Sequence, residues 1–396
     1  MQDNEKKPAL RFKGFTDPWE QRKLGEVFEE YSEKNHAELP PLTIIQGGGT
    51  IRRDESERAL QYDKSSLSNY KMVNKDDFIV HLRSFEGGLE KASSQGIISP
   101  AYHTFHGEDV DSRFYYAYFR SKNFINKDLK PHVYGIRDGR SIDIEGMKTI
   151  RIPWASYPEQ KSIGDFLTHL DTLITLHQRK YEKLVNIKKS MLDKMFPQNG
   201  ASVPEIRFKG FTDPWEQRKV GTLIEDYTEK TVTQNQYPVL TSSQQQGIVL
   251  QEDYFADRQV TTDNNVGYYV LPKGYFTYRS RSDTDVFVFN RNNIVDKGII
   301  SYYYPVFAPK SCDSNFLLRR LNHGIKKQLS MAAEGTGQKV LAHAKFKNMV
   351  VDVPSQSEQE KIGTILEELD TLITLHQRKL EKLQNIKKSC LEKMFV

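Results

Sequence analysis

Several side chains that could hydrogen-bond to base edges stand together in the second half of this chain. Residues 242–247 read SSQQQG, so Ser242, Ser243, Gln244 and Gln245 precede a glycine. In the major groove of DNA, a Gln side chain can form two hydrogen bonds with adenine, and Arg can do the same with guanine. The run predicts a polar loop that reads adenine, and a merely solvated loop is the equal alternative.

Two further polar groups in the same half follow an aromatic run and a glycine-rich turn. Tyr278, Arg279 and Arg281 combine a flat ring with guanidinium groups, and Gln338 and Lys339 come after Gly-Thr-Gly. Arg and Lys bind phosphates, and bidentate groups also recognise bases. We expect both groups to contact nucleic acid, and we expect Gln338 and Lys339 to contact the nucleic-acid backbone. For each residue, a solvated surface position is the alternative.

Arginines beside predicted turns are the candidates in the first half. Arg52 and Arg53 follow Gly-Gly-Gly-Thr, and Arg137 and Arg140 belong to the turn sequence GIRDGR. Guanidinium groups on such turns could enter a DNA groove. For Arg52 and Arg53 the acidic sequence DESE offers an alternative, because those carboxylates could pair with them.

One Arg-Ser pair occurs in both halves. Arg83 and Ser84 follow the apolar run DDFIVHL, as Arg279 and Ser280 follow GYFTY. If the two halves contact different DNA sequences, they need different base contacts, so a shared pair favours phosphate positioning over base reading.

Sequence signatures of catalysis are missing from the chain. The glycine run GGGTIRRD at residues 47–54 does not fit a phosphate-binding loop, and GxGxxG, HExxH, CxxC and GxSxG do not occur. Neither the Asn-Pro-Pro-aromatic motif of adenine methyltransferases nor a Pro-Asp anchor for a nuclease site is present. We therefore expect no catalytic residues, no metal site and no cofactor in this chain.

Composition sets the broad class of protein. The chain has 396 residues with 57 basic and 52 acidic side chains, a net charge of +5. This length suits two domains, and the small charge excess means that any DNA contact must come from local basic patches. The low cysteine content, Cys312 and Cys390 alone, and the lack of a membrane-spanning apolar run predict a protein of the reducing cytoplasm.

An internal repeat organises the chain. Residues 11–23 recur unchanged at 207–219, and LDTLITLHQRK occurs at both 170–180 and 369–379. Between these repeats the two halves share only short echoes. Duplication followed by divergence predicts two domains of one fold with different surfaces.

The second repeat predicts two long helices. Residues 159–196 and 358–395 contain no proline, and their apolar residues recur at alternating spacings of three and four. A helix of this length spans roughly 57 Å at ~1.5 Å per residue. We expect an antiparallel pair that separates two readers by about the ~34–36 Å between successive major-groove sites on one face of DNA.

Identical polar letters on the repeated helices indicate a partner protein. Gln178 and Arg179 in the first helix correspond to Gln377 and Arg378 in the second. Packing between the helices would not require these residues, so we expect them to bind another protein. An intramolecular coiled coil without a partner is the alternative.

Two segments carry a family resemblance. The helices begin with EQKSIG at 159–164 and EQEKIG at 358–363, and GTGQKVLAHAKFKNMVVDVPSQ at 335–356 leads into the second. In this layout the chain resembles the specificity subunits of type I restriction–modification systems over essentially its whole length. The first half departs from the pattern, because the segment before its helix lacks the Gly-Thr-Gly-Gln letters.

The resemblance implies a non-catalytic subunit of a larger complex. Each variable domain would read half of a split, asymmetric site on double-stranded DNA. The helices would dock two methyltransferase subunits, and restriction subunits would join them. S-adenosylmethionine, ATP and Mg would be bound by those partners. A duplicated coiled-coil scaffold without DNA binding is the alternative function.

The predicted fold class is α+β, with two α/β target-recognition domains separated by two long antiparallel coiled-coil helices in a pseudo-two-fold arrangement. This order places a recognition domain before each helix. The expected divisions are a recognition domain at 1–157, a spacer helix at 158–197, a second recognition domain at 198–356 and a second spacer helix at 357–396.

Overall fold

The structure, a computed structural model, divides into two compact units. Unit 1 combines Met1–Gln178 with Arg378–Val396, and unit 2 comprises Arg179–Gln377. Among the described residues, each helix falls short of the length or the apolar character that a membrane span requires. The structure describes residues 7–56, 64–81, 88–135, 141–198, 201–255 and 264–395.

Short antiparallel strands build unit 1. In its described residues the strands are β1 (Glu20–Lys23), β2 (Glu29–Tyr31), β3 (Leu42–Ile45), β4 (Gly49–Arg52), β5 (Lys71–Val73), β6 (Phe78–His81), β7 (Glu90–Lys91), β8 (Gly96–Ile98), β9 (Tyr102–His106), β10 (Val133–Tyr134), β11 (Ser141–Ile142) and β12 (Arg151–Trp154). Four of them form a sheet in the order β2-β9-β6-β7, and the others pair as β1-β12, β3-β4, β5-β8 and β10-β11. The α-helices are α1 (Leu24–Val27), α2 (Ser112–Phe119), α3 (Ile144–Lys148) and α4 (Tyr157–Lys194), of which α4 continues into unit 2.

Aromatic rings fill the space between the large sheet of unit 1 and α2. The Phe28 ring centroid lies 5.3 Å from that of Phe78 and 5.0 Å from that of Tyr115, both edge-on. Phe119, one turn beyond Tyr115 on α2, lies 5.1 Å from Phe78. Such edge-to-face pairs stabilise a core by about 0.5–1.5 kcal/mol each beyond their burial. This core fixes α2 against the sheet.

Unit 2 repeats this architecture. In its described residues the strands are β13 (Glu216–Lys219), β14 (Ile224–Tyr227), β15 (Leu240–Ser243), β16 (Gly247–Leu250), β17 (Tyr269–Pro272), β18 (Phe276–Tyr278), β19 (Arg281–Ser282), β20 (Phe289–Arg291), β21 (Lys297–Ile300), β22 (Val306–Pro309), β23 (Lys339–Val340) and β24 (Val350–Val353). The α-helices that start in it are α5 (Gln251–Tyr254), α6 (Ser314–Asn322), α7 (Lys326–Ala332), α8 (His343–Asn348) and α9 (Gln356–Met394). Its large sheet has the order β14-β22-β18-β20, and the other pairs are β13-β24, β15-β16, β17-β21 and β19-β23.

Corresponding sheets confirm that the two halves share one fold. The order β14-β22-β18-β20 matches β2-β9-β6-β7, and β13-β24, β15-β16 and β17-β21 match β1-β12, β3-β4 and β5-β8. One pair differs, since β23 pairs with β19 whereas β11 pairs with β10. Helices and strands occur in both units, so the predicted α+β class is confirmed.

A buried ion pair explains the first repeated motif in unit 1. Arg11 donates to both carboxylate oxygens of Glu159, from Nε at 2.6 Å and from Nη2 at 2.7 Å. The indole Nε1 of Trp19 also donates to Glu159, at 3.0 Å. Glu159 is fully buried at the start of α4, so its charge requires these donors. The repeat therefore clips the segment before β1 to the long helix.

The same clip recurs in unit 2 with one donor fewer. Arg207 donates to Glu358 from Nε at 2.7 Å and from Nη2 at 2.8 Å. Trp215 is buried, and its indole Nε1 has no hydrogen-bond partner among the described residues. The Arg207–Glu358 ion pair therefore anchors the second motif to α9 without an indole hydrogen bond.

The Gln and Gly of the EQxxIG motif hold the short helix of each large sheet. In unit 1, Gln160 Oε1 accepts from the backbone N–H of Asp111, the residue that caps α2, at 3.0 Å. A Cβ on Gly164 would lie 2.7 Å from Asp111 Oδ1, so only glycine allows this approach. In unit 2, Gln359 and Gly363 make the corresponding contacts with the α6 cap. The motif is therefore structural.

Inside unit 1, the end of α9 packs beside the beginning of α4. The Phe395 ring centroid lies 5.1 Å from Phe114 and 6.5 Å from Trp19, which binds the start of α4. Farther along, Lys387 of α9 pairs with Asp171 of α4. The two helical segments of unit 1 therefore run antiparallel.

Unit 2 contains the reciprocal arrangement of helical segments. The Phe196 ring centroid lies 5.8 Å from Phe316 and 6.0 Å from Trp215. Lys188 near the end of α4 pairs with Asp370 in the first part of α9. Each unit thus contains the first part of one long helix and the last part of the other.

This exchange differs from the predicted order of contiguous segments, in which the spacer helices occupied 158–197 and 357–396. Both long helices are present close to those bounds, but each is divided between the units at residues 178 and 377. The physical reason is that Phe196 and Phe395, just after the helices, are buried in aromatic cores. Sequence periodicity shows a helix but not the core that its last residues enter.

Candidate nucleic-acid interface

A hairpin in unit 1 exposes a glycine-rich turn. Strands β3 and β4 pair antiparallel and leave Gln46–Gly48 as an exposed turn between them. Behind the turn, the Glu90 carboxylate accepts hydrogen bonds from the backbone N–H of Gly47 at 2.7 Å and of Gly49 at 3.2 Å. The exposed tip therefore offers backbone groups and the single Gln46 side chain.

The corresponding hairpin in unit 2 exposes three glutamines. Strands β15 and β16 leave Gln244–Gln246 between them, all exposed. Ser243 Oγ accepts from the backbone N–H groups of the last two glutamines, at 3.2 Å each. Asn290 Nδ2 donates to Ser242 Oγ and to the Ser243 carbonyl, both at 2.8 Å. Three side-chain amides, each able to donate and accept, therefore face solvent.

A strand pair joins the two other polar groups that were predicted in unit 2. Strand β19 pairs with β23, so that Arg281 lies opposite Val340. Next to this pair, Gln338 Nε2 donates to Asp283 Oδ1 at 2.9 Å, and Arg279 Nη1 lies 3.9 Å from Asp283 Oδ2. Residues that are far apart in sequence thus form one exposed cluster.

The glutamine turn lies beside the same loop as this cluster. Gln244 Nε2 donates to the carbonyl of Val286 at 3.4 Å, and Val286 belongs to the loop that begins at Asp283. The structure therefore brings together most of the predicted contacts of unit 2. We call this the unit 2 polar surface, defined by Gln244, Gln245, Gln246, Arg279, Arg281 and Gln338.

Two tyrosines next to this surface were missed by the sequence analysis. The Arg281 guanidinium carbon lies 4.2 Å from the ring centroid of Tyr303, and Ser280 Oγ donates to the Tyr303 carbonyl at 2.7 Å. Tyr302 is 56% exposed, and its ring centroid lies 4.2 Å from that of Tyr303. The run SYYY at 301–304 was the available signal.

Two predicted contacts in unit 2 are wrong because their side chains are buried. Tyr278 has no exposed surface, and its hydroxyl shares a 3.2 Å hydrogen bond with His343 Nδ1. Burial raises the pKa of the Tyr278 phenol, which therefore stays protonated. Ser243 is 5% exposed and uses its Oγ within the hairpin. Both support the surface from inside.

In unit 1, Arg52 pairs with a carboxylate of the DESE sequence, as the alternative expected. Arg52 donates to both carboxylate oxygens of Asp54, at 3.1 and 2.9 Å. Arg53 lies over the Tyr70 ring, 5.2 Å from its centroid, and donates to the Leu42 carbonyl at 3.3 Å. DNA contact by either residue stays a prediction.

Four predicted contacts of unit 1 lie outside the described residues. They are Arg83, Ser84, Arg137 and Arg140. Lys339 of unit 2 is described and half-buried, with its backbone paired in β23. Its contact with a DNA backbone stays a prediction.

The repeated helices carry two depressions lined by the same residue types. In unit 2 the lining residues are Arg179, Glu182, Lys183, Asn186, Ile187 and Ser190. In unit 1 they are Arg378, Glu381, Lys382, Asn385, Ile386 and Ser389. All six types agree between the copies, and Gln178 and Gln377 precede them. These mixed polar and apolar faces include the predicted partner-binding arginines.

Comparison with known proteins matches each half of the chain to one family. The family pattern described as the type I restriction modification DNA specificity domain matches residues 16–186 and again residues 213–385. Each match contains one hairpin and the buried glutamate of one clip, Glu159 or Glu358.

Individual relatives and one solved structure agree with this match. The specificity subunit of type I restriction enzyme MjaVIII from Methanocaldococcus jannaschii is 22% identical, over 80% of this chain and 77% of its own. The putative MjaX specificity subunit of the same organism is 20% identical, over 94% of this chain and 91% of its own. The crystal structure of a type I restriction–modification S subunit from M. genitalium has a TM-score of 0.60 at 13% identity, and the match covers 98% of this chain and 99% of that one. This similarity shows that the two chains share a fold.

Proposed function

The chain belongs to the type I restriction–modification DNA specificity family, and from this premise we propose that it reads a bipartite, asymmetric site on double-stranded DNA. Unit 1 reads one half-site and unit 2 reads the other. The observation that carries this proposal is the double family match on two frameworks of equal strand order. Because the two units share a framework but expose different side chains, we expect them to recognise different half-sites.

The chemistry of the unit 2 polar surface fits a DNA groove. Amide side chains can pair with adenine edges, and guanidinium groups can pair with guanine or phosphate. The net charge of the chain is only +5, so phosphate contacts come from local arginines and lysines. Binding then weakens as salt rises, because each neutralised phosphate releases counterions.

The identical helix faces are the proposed docking sites for two copies of a methyltransferase subunit. Restriction subunits join that assembly. S-adenosylmethionine, ATP and Mg are held by those partners, and this chain contributes specificity and assembly. Two equal faces for two equal partners account for the matching residue types at both depressions.

Methylation mapping tests the reading function. Cells that express the chain together with its methyltransferase partner should carry methylated adenines at one motif made of two unlike halves and an unread spacer. Methylation without a shared motif, or at a single undivided site, would contradict the proposal.

Binding of the purified chain, without the methyltransferase, to random duplex DNA tests the scaffold alternative. We expect the logarithm of affinity to fall linearly with the logarithm of salt concentration. A scaffold without a DNA role would show no salt-dependent binding.

Co-purification tests the docking faces. Arg179→Glu combined with Arg378→Glu reverses one charge on each face and should reduce recovery of the methyltransferase. Lys13→Glu combined with Lys209→Glu is the matched control, because these exposed lysines are also duplicated but lie in the first motif. Equal recovery with both double variants would contradict this placement.

A further inference from the structure

We infer that the two hairpin turns, Gln46–Gly48 and Gln244–Gln246, determine which base pairs each half-site accepts, and that Glu90 and Asn290 are positioning residues for them. The inference rests on the proposed function and extends it to named residues. It follows from a comparison of the two hairpins and of the side chains that support them.

Glu90 and Asn290 occupy the same place in the two large sheets. Glu90 pairs with Ile79, the residue after Phe78, and Asn290 pairs with Thr277, the residue after Phe276. Each side chain reaches from its sheet to the adjacent hairpin. One sheet position thus supports both turns, although the supporting residue has changed.

In unit 1 the support is a buried carboxylate. Glu90 is 5% exposed and accepts from two backbone N–H groups of the turn, from the Tyr116 hydroxyl at 2.8 Å and from Arg120 Nη1. Burial raises the pKa of Tyr116, so its hydroxyl stays a donor. Four donors satisfy the charge and hold the backbone of the turn in one conformation.

The two residues whose N–H groups Glu90 binds favour glycine. Gly47 has φ of +81°, and a Cβ there would lie 2.8 Å from Arg120 Nη2. Gly49 also has a positive φ, of +74°, and a Cβ there would lie 2.7 Å from the Lys91 carbonyl. The turn that Glu90 holds can therefore approach DNA closely with its backbone, and Gln46 is its single polar side chain.

In unit 2 the support is a neutral amide, and the turn carries side chains. Asn290 binds the hairpin strand through Ser242 and Ser243, and Ser243 Oγ closes the turn itself. Positive φ is confined to Gly247 in this hairpin, so the three glutamines before it tolerate side chains. We therefore assign Gln245 and Gln246 to an A·T pair in the half-site of unit 2.

The decisive variant is Gln245→Ala combined with Gln246→Ala, in complex with the methyltransferase. At one position of the unit 2 half-site, we expect the preference for A·T to fall by about 10- to 100-fold, as loss of a bidentate contact predicts. The other half-site should be unchanged. The slope of affinity against salt should also be unchanged, because the removed groups are neutral. Gln328→Ala, an exposed glutamine on α7, is the matched control.

The positioning roles are tested by Asn290→Ala and Glu90→Gln. Asn290→Ala should relax the same half-site as the double glutamine variant, and Glu90→Gln should relax the other half-site. Hydrogen exchange in the aromatic cores of both units should match the wild type, which separates loss of positioning from loss of folding.

The outcomes distinguish the inference from the function on which it rests. If the wild-type complex reads a motif and the double glutamine variant reads it with the same preference, the inference is overturned but the proposed function stands. A uniform loss of affinity with a smaller salt slope would assign the turn to phosphates and also overturn it. If the wild-type complex shows no sequence preference, the proposed function fails, and the inference fails with it.

Discussion

In unit 1, Glu159 accepts hydrogen bonds from both Arg11 and Trp19, whereas in unit 2 the indole of Trp215 is buried without a partner among the described residues. Both units keep the arginine and the buried carboxylate. The ion pair is thus the part of the clip that both folds require. The tryptophan serves in both as packing, and its hydrogen bond is an addition in unit 1.

The hairpins differ more than the clips do. Glu90 supports the unit 1 hairpin with a charged carboxylate that accepts hydrogen bonds from four donors. Asn290 supports the unit 2 hairpin with a neutral amide that donates two hydrogen bonds. The support changed together with the exposed turn, while the strand order around it did not. The two units therefore differ both in the turn that we propose reads DNA and in the residue that supports it.

The largest expected effect comes from removing the arginine of each clip. Arg207→Ala leaves Glu358 buried and unpaired, so it should lower the free energy of unfolding of unit 2 by about 3–5 kcal/mol. Arg11→Ala should lower the free energy of unfolding of unit 1 by a smaller amount, because Trp19 still donates to Glu159. Hydrogen exchange resolved by unit measures both losses. Equal losses would show that the Trp19 bond contributes nothing.

A smaller effect should distinguish the two tryptophans. Trp19→Phe removes a hydrogen bond to a buried charge, and Trp215→Phe removes an N–H for which the described part of the chain offers no acceptor. Since both variants lose similar ring volume, Trp19→Phe should be the more destabilising by about 1.5–3 kcal/mol. The same exchange experiment measures this, and a larger loss in Trp215→Phe would contradict the comparison.

Local signals in the sequence predicted the repeated elements well. Helix periodicity predicted α4 and α9, and the run SSQQQG predicted an exposed polar turn at Gln244 and Gln245. Tyr278 was placed wrongly, because a residue at the end of a strand can face either side and the sequence does not show which. Its neighbour Arg279 does face solvent.

Long-range pairing was beyond the reach of the sequence. Gln338 and Arg279 meet at Asp283 because β19 pairs with β23, two strands that are far apart in the sequence. The support of the turns by Glu90 and Asn290 is likewise a tertiary contact. Duplication indicated that the halves share a fold, but not which side chains hold the differing surfaces.

The smallest predicted effect is a pH dependence that the units share. Asp226 in unit 2 is partly buried, which raises its pKa, but Lys347 and His343 outweigh this and lower the pKa overall. In unit 1, burial likewise raises the pKa of Glu30, but hydrogen bonds from Lys148 and His103 outweigh burial and lower this pKa overall. A lowered folded pKa adds stability above the unfolded value, and this stability is lost as pH falls through the folded value.

Asp226→Asn should therefore destabilise unit 2 at pH 7 by about 1 kcal/mol or less, since the pair is partly exposed. The difference from the wild type should begin to shrink below about pH 4, where the carboxylate is protonated in the unfolded chain, and should disappear only below the lowered folded pKa. Unfolding by urea at pH 7 and at pH 3 checks this. A difference that grows in acid would contradict the sign of the effect.

The most direct test of the account is an exchange of one recognition surface. Residues 222–357 are replaced by the corresponding segment of a specificity subunit with a different target, and methylated adenines are mapped in cells that also express the methyltransferase. We predict that one half of the motif changes to the donor's half-site while the other half stays the same. A change in both halves, or in neither, would contradict the claim that two like frameworks read DNA independently.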